Sequence, residues 1–266
     1  MPQGMQRYAL RVEYQGSSFK GFQKQASSSE TVQRYLEEAL SFVADEEIIL
    51  KCAGRTDAGV NACAQWVHFD TLSVRDLKAW TKGVNSRMPR AIRVNYAQPV
   101  VPDFHARFAA KARRYCYVLH RADTPSSLLH KLVTYLPYDV DVQAMQSAAS
   151  SLLGEHDFTT FRASGCQAAT ATRNIIDIHW STHRAFIALH IEANAFLYHM
   201  VRNIVGSLLE VGRGAQSPGW IADILARKDR KLAAAKAPAC GLYFVGVQYA
   251  PEFKLPLDPV LPPWLD

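Results

Sequence analysis

One carboxylate in this chain stands in a setting that suits chemistry. Lys51 to Phe69 reads KCAGRTDAGVNACAQWVHF: an apolar strand ending at Ala53, a turn Gly54-Arg55-Thr56-Asp57-Ala58-Gly59 bounded by glycines, and a second strand from about Asn61. The glycines permit positive φ and let another molecule approach the backbone, while Arg55 and Thr56 set a cation and a hydroxyl beside Asp57. A neighbouring cation favours the charged form of a carboxyl group. Asp57 is therefore expected to be anionic near neutral pH, fit to act as a nucleophile or electrostatic partner rather than as an acid. The same string also describes an ordinary hairpin turn with an Asx cap.

Other stretches pair cations with rings or amides. Phe19 to Gln25 (FKGFQKQ) interleaves aromatics with Lys20 and Lys24, a pattern that can stack on bases and neutralise phosphates, or form a solvated loop. Lys111, Arg113 and Arg114 precede Tyr115 and Tyr117 on an alternating segment, which suits RNA and equally suits an exposed strand face. Asp157 to Arg173 is expected to be a long exposed loop carrying Arg162, Gln167 and Arg173. Ala195 to Gly212 reads as a helix, apolar around most of its circumference. His199, Arg202, Asn203, Gly206 and Glu210 fall on one stripe of it, whose ordinary place is against solvent.

Hydrophobic periodicity supplies the elements that must position these residues. Arg7 to Tyr14 alternates, with Tyr8, Leu10, Val12 and Tyr14 on one face. Thr31 to Val43 has helical spacing behind Ser27-Ser28-Ser29, a possible N-cap. Glu47 to Ala53 and Ala62 to Asp70 flank the Asp57 turn as strands, Val74 to Arg87 reads as a helix with Leu77, Trp80 and Val84 inward, and Ala91 to Tyr96 as a strand. The order β-α-β-β-α-β is that of ferredoxin-like and RNA-recognition-motif domains. After a Pro-containing crossing at Pro99 to Arg107, the same order recurs: strands at Phe108 to His120, Asn174 to Trp180, Ala185 to Glu192 and Gly241 to Tyr249, with helices at Asp141 to Leu153 and Ala195 to Gly212. A short extra helix is expected at Trp220 to Ala226. Domains of residues 1–107 and 108–266 follow.

With 266 residues, 48% of them hydrophobic, the chain can bury a large core. It has no run of about 18 uncharged apolar residues and no apolar signal-peptide segment near Met1, so a cytoplasmic location away from membranes is expected. Cys52, Cys63, Cys116, Cys166 and Cys240 are odd in number and contain no C-x-x-C pair, which disfavours a disulfide framework or a zinc site and suggests buried thiols. A net charge of +6 suits a polyanionic partner.

GRTDAGV followed by A-x-x-Q-x-x-x-F resembles the catalytic loop of tRNA pseudouridine synthases of the A type. The likeness continues, in the family's order, through Tyr14 to Gln25, Phe104-His105-Ala106-Arg107-Phe108, AKARRYCY, F-R-x-x-x-x-Q from Phe161 to Gln167, FLYHMVRNIVG and PACGLY. Departures are Gln15 for Asp, Phe22 for Trp, Asn61 for His and Cys240 for a frequent His. The resemblance implies an α+β fold of two ferredoxin-like, RNA-recognition-motif-like domains related by a pseudo-twofold axis. Their sheets would be joined, with the active-site cleft between them and a homodimer clamping tRNA. It implies isomerisation of uridine to pseudouridine at three neighbouring positions on the 3′ side of the anticodon stem-loop, with no metal and no cofactor. Asp57 is then the essential carboxylate and Arg202 the arginine that pairs with it. Tyr115 and Leu242 lie on the target uracil, and Arg55 helps the base out of the helix. Phe104, His105, Ala106, Arg107, Phe108, Gln167 and Arg173 are expected to contact RNA. Addition of Asp57 to C6 of the base and reaction at the sugar, by a covalent or a glycal route, are both open. Two other classes fit parts of the chain: a non-catalytic RNA-binding protein on the same fold, and an aspartyl-nucleophile hydrolase or phosphotransferase. The latter lacks an acidic pair for Mg²⁺ and a Ser-His-Asp elbow.

Overall fold

Strict alternation makes the first strand, β1 (Gln6–Tyr14), whose Tyr8, Leu10, Val12 and Tyr14 are all buried. The computed structural model describes residues 4–265. The chain groups into two compact units, the first made of Met1–Lys111 with Phe244–Pro262 and the second of Ala112–Tyr243 with Pro263–Asp266.

In the first unit β1 is followed by α1 (Val32–Ala44), β2 (Lys51–Cys52), β3 (Asn61–Thr71), a π-helical turn at Ala79–Gly83 running into α2 (Val84–Arg87), and β4 (Ile92–Val100). β1 lies between β3 and β4, and β2 pairs with β3, every pairing antiparallel. The order is β-α-β-β-α-β. β3 is buried along both faces except at Asp70, and its polar residues Asn61, Gln65, His68 and Thr71 are buried with its apolar ones.

Three local expectations change. The strand expected from Glu47 shrinks to Lys51–Cys52, because α1 takes the preceding amides: Ile48 N donates to Ser41 Oγ and Leu50 N to Glu37 Oε1. The helix expected from Val74 begins later, where Asp76 accepts from the backbone of Lys78 and Ala79. Trp80 and Val84 fill its inner face, and Leu77 is left exposed. The extra residue per turn of the π segment moves Leu77 off that face. Thr31, not a serine of the preceding run, is the N-cap of α1; Ser28 Oγ instead accepts from Glu30 N.

The second unit contains β5 (Ala112–Arg121), β6 (Thr134–Leu136), α3 (Val142–Ser150), β7 (Gly154–Asp157), β8 (Thr172–His183), β9 (Phe186–Ala193), α4 (Met200–Gly212) and α5 (Trp220–Arg227). β5 pairs antiparallel with β9 and parallel with β6, while β9-β8-β7 continues antiparallel. A last strand, β10 (Leu242–Gln248), holds the boundary between the units after Tyr243. Asp141 caps α3 by accepting from Ala144 N at 2.9 Å. α4 starts five residues after Ala195, at Met200, because His199 takes a left-handed conformation with φ +60. The segment expected as an exposed loop from Asp157 is half folded: Phe158 and Phe161 are buried about a 3-10 turn, Thr159–Phe161. Of the cysteines, all free, only Cys63 and Cys116 are fully buried.

The crossing after β4 is tied down by β1 and β3. Arg7 pairs with Asp70 at 2.6 Å and also donates to the carbonyls of Pro102 and Phe104. Phe104 packs against Tyr249 and Phe253, and Ala106 N donates to His68 Nδ1 at 3.1 Å. Burial first, then the His105 ring and Arg7, push His68 down to about 3, so its Nδ1 stays an acceptor. A histidine depressed from 6.5 to about 3 stabilises the fold fully above about pH 6.5, and that contribution falls as pH drops toward 3. Wild-type protein should therefore lose about 2 kcal/mol of stability between pH 7 and pH 5 from this residue. Urea unfolding at both pH values should show the loss in wild type and not in His68→Gln; equal losses in the two proteins would remove His68 from the account.

Candidate active site

The Asp57 turn is built by strands on either side of it and by a second loop beneath. Val60 N donates to Asp57 O at 3.1 Å, closing the turn, and Gly59 carries the positive φ, +81. Gly54 has ordinary backbone geometry. Its missing side chain instead admits the Phe244 ring, 3.1 Å from where a Cβ would stand. Asp57 is half-buried, Arg55 exposed, and Thr56 buried between them.

Thr56 turns inward because its hydroxyl has a buried partner. Tyr14 Oη lies 2.8 Å from Thr56 Oγ1, and Gln65 Nε2 donates to Gly54 O at 2.7 Å and to Tyr14 Oη at 3.4 Å. Burial raises the Tyr14 phenol further above its usual range, so it remains a neutral hydrogen-bonding group. Asn61 Oδ1 accepts from Gly16 N at 2.9 Å, and Gly16 sits so close that a Cβ there would fall 2.0 Å from Val60 O. Phe22 N donates to Thr56 O at 3.1 Å. Every one of these bonds fixes the backbone around Asp57.

This arrangement reassigns the FKGFQKQ segment. Phe19 and Phe22 are buried, Phe22 against Tyr14, so neither ring is open to a base. Lys24 reaches Glu37 at 3.5 Å, and Lys24 N donates to Gln33 Oε1, so α1 holds the segment that in turn holds Thr56. The departures Phe22 and Asn61 are accommodated as core and as a buried acceptor, and Asn61 does no proton transfer in this position. Burial pushes the Cys52 thiol up to about 11, so it stays protonated near neutral pH beside the turn.

The other expected site residues lie in the second unit. Tyr115 is buried on β5 with its ring edge-on to Phe196 at 5.0 Å. Arg202 on α4 is 8% exposed, so the stripe does not face solvent at this residue. An extended strap covers it: Arg202 Nε donates to Ala237 O at 2.8 Å, Ala237 N donates to Arg202 O, and Ala234 N donates to Ser207 Oγ. Gly206 is needed there, because a Cβ would stand 2.1 Å from Ala235 O. The strap then runs through Pro238, whose carbonyl accepts from Tyr117 Oη, to the buried Leu242. Cys240 donates to Val133 O at 3.4 Å.

Among residues expected at RNA, Phe104 and Ala106 are buried in the first unit and hold the crossing in place. His105, Arg107 and Phe108 project from it, with Phe108 76% exposed, tilted against His105 at 4.4 Å and approached by Arg107. In the second unit Gln167 is exposed, while Arg162 and Arg173 brace their own loop by donating to the carbonyls of Cys166 and Ala168 and of Thr170 and Thr172. Tyr14 and Gln65 went unrecognised as positioning groups. The signal for Gln65 is an amide in the middle of a buried strand, which must find a partner. Among the described residues no group of three or more His, Cys, Asp or Glu side chains is placed to hold a metal ion, and no helix is long and apolar enough to cross a membrane.

Asn61→Leu keeps the branching of the side chain but leaves Gly16 N without its acceptor, which should cost about 1–3 kcal/mol. Denaturant unfolding that showed no loss would mean that Asn61 does not secure this turn.

The sequence profile described as tRNA pseudouridine synthase matches residues 11–109 and 148–250. The protein of Shewanella amazonensis named tRNA pseudouridine synthase A is 53% identical over 250 residues, covering 94% of this chain and 95% of that one. The one of the same name from Enterobacter sp. (strain 638) is 51% identical, covering 97% and 96%. Against solved structures the likeness is low: a Cbf5-Nop10-Gar1 complex gives a TM-score of 0.32 at 13% identity, over 76% of this chain and 45% of that one. The extent and identity of the sequence matches show that the chain belongs to the tRNA pseudouridine synthase family, a family of isomerases.

Proposed function

We propose that this chain converts uridine to pseudouridine in the anticodon stem-loop of tRNA, at three neighbouring positions on its 3′ side, with Asp57 as the nucleophile. The observation that carries the reading is the placement of Asp57: the turn around it is secured by the Tyr14 bond to Thr56, the Gln65 bond to Gly54 and the Asn61 bond to Gly16, while Asp57 itself is left half-buried. A nucleophile held this way loses little freedom when it reacts.

The reaction breaks the C1′–N1 bond, turns the uracil, and joins C5 to C1′; the C5 proton leaves and N1 ends protonated. Addition of Asp57 to C6 and reaction at the sugar both require an ionised carboxylate. The detached base must be retained while it turns, a role that suits Tyr115 and Leu242. Taking a uridine out of a stem costs about a few kcal/mol of unstacking, and the exposed Arg55 beside Asp57 is the side chain we assign to fill the gap. Arg202 supplies the cation that balances the carboxylate. His105, Arg107, Phe108, Gln167 and Arg173 are assigned to RNA contact, and the net charge of +6 favours it. A homodimer acting in the cytoplasm completes the proposal.

Asp57→Asn should abolish pseudouridine formation and leave tRNA affinity within about tenfold, roughly 1.4 kcal/mol, because the amide keeps the shape and cannot attack. Turnover near the wild-type rate, measured by pseudouridine mapping, would sink the assignment. Arg202→Met keeps helix propensity and most of the apolar stem but removes a buried cation. Pseudouridine formation should collapse at neutral pH and recover partly as pH rises, since a carboxylate deprived of its cation ionises at higher pH. Wild-type rates across that range would make Arg202 a structural residue of α4 only.

A further inference from the structure

Just before α4 the chain presents an aromatic stack that no role described so far uses. Tyr198 is 46% exposed, and its ring lies on His199 with centroids 3.8 Å apart and planes 28° from parallel. The stack is held in place. Tyr198 O accepts from Ala163 N at 3.1 Å, His199 O accepts from Asn203 N at 3.0 Å, and His199 keeps its left-handed φ of +60 although it is not glycine. The exposed Lys236 brings its Nζ to 3.2 Å from His199 Nδ1. Burial first, then Lys236 and Arg202, pull His199 down to about 4, so at neutral pH the imidazole is uncharged and accepts from the ammonium. The result is a neutral two-ring platform with a fixed cation at its edge. Lys236 is itself fixed by its neighbours, since Ala237 N donates to Arg202 O and Ala235 O lies over Gly206.

We infer that Tyr198, backed by His199, is a stacking site for an unpaired nucleobase of the RNA substrate, and that Lys236 receives a phosphate beside that base. An exposed ring with a cation at its rim matches the two features that every nucleotide carries, a π-face and an anionic phosphate. His199 is the N-cap of α4, three residues before Arg202. The inference rests on the proposed tRNA reaction, and it adds a second base-binding subsite to it.

Equilibrium binding of an anticodon stem-loop RNA to the full chain tests this. Tyr198→Ala should weaken binding about tenfold, and Tyr198→Phe, which keeps the ring, less than about twofold. Lys236→Gln should lower the slope of log affinity against log salt by about 0.7, the contribution of one phosphate contact on a single strand, while Tyr198→Ala leaves that slope unchanged. In a series of RNAs each lacking one base, one of them should bind wild type and Tyr198→Ala equally. Wild-type affinity in Tyr198→Ala, equal losses in the Ala and Phe variants, an unchanged salt slope in Lys236→Gln, or a Tyr198→Ala deficit that persists across the whole series would each overturn the inference. Pseudouridine formation by wild type on the intact RNA is the control. No product would overturn the proposed reaction itself, whereas normal product with an unaffected Tyr198→Ala would overturn the stacking site alone.

Discussion

The polar backbone of the Gly54–Gly59 turn has to be satisfied away from water, and the rest of the first unit is arranged to do it. Gly54 O, Thr56 O and Gly16 N find their partners in Gln65, Phe22 N and Asn61, and the Thr56 hydroxyl finds Tyr14. A buried peptide group without a partner costs about 1–3 kcal/mol, so each bond is worth more by its absence than by its presence. The consequence is directional. Thr56 is pulled inward, while Arg55 stays exposed and Asp57 half-buried on a turn that cannot easily relax.

That constraint spreads by way of the loop after β1. Phe22 must be buried for its amide to reach Thr56, and the loop reaches that depth because α1 binds it through Gln33 and Glu37. Glu37 is a buried carboxylate shared among the Gln33 amide, Leu50 N and Lys24, so one side chain couples the helix, the loop and the approach to β2. Aromatics and lysines in such a segment look like an RNA contact, yet the aromatics are committed to the core. Open rings lie elsewhere, Phe108 and Tyr198 among them.

In the second unit the equivalent constraint is a charged group under a strap. Arg202 is buried on α4, and its Nε is met by Ala237 O. Burying a guanidinium is costly unless its donors are used, and the strap that accepts from Nε also bonds Ser207 and closes over Gly206. The same strap leads through Pro238 to the buried Leu242, so one segment carries both the acceptor for Arg202 and that leucine.

Local residue patterns were enough to determine the order of the elements in the first unit and to single out the candidate carboxylate, whereas in the second unit the short strands β6 and β7 add to the expected β-α-β-β-α-β order. Alternation at Tyr8 to Tyr14, helical spacing in α1 and α4, and the glycine-bounded turn at Asp57 are properties of neighbours in the chain. Family likeness supplied the roles proposed for Tyr115, Arg202 and Leu242. What local pattern missed depended on partners distant in sequence. Leu50 N lost its place in a strand to Glu37, and Phe22 exchanged a surface role for contact with Tyr14 and Thr56. Arg202 passed from a polar stripe into the interior once residues 234–237 lay over it. A stripe or an aromatic run records which side chains share a face, but only the tertiary fold decides whether that face meets water, because the covering segment comes from another part of the chain.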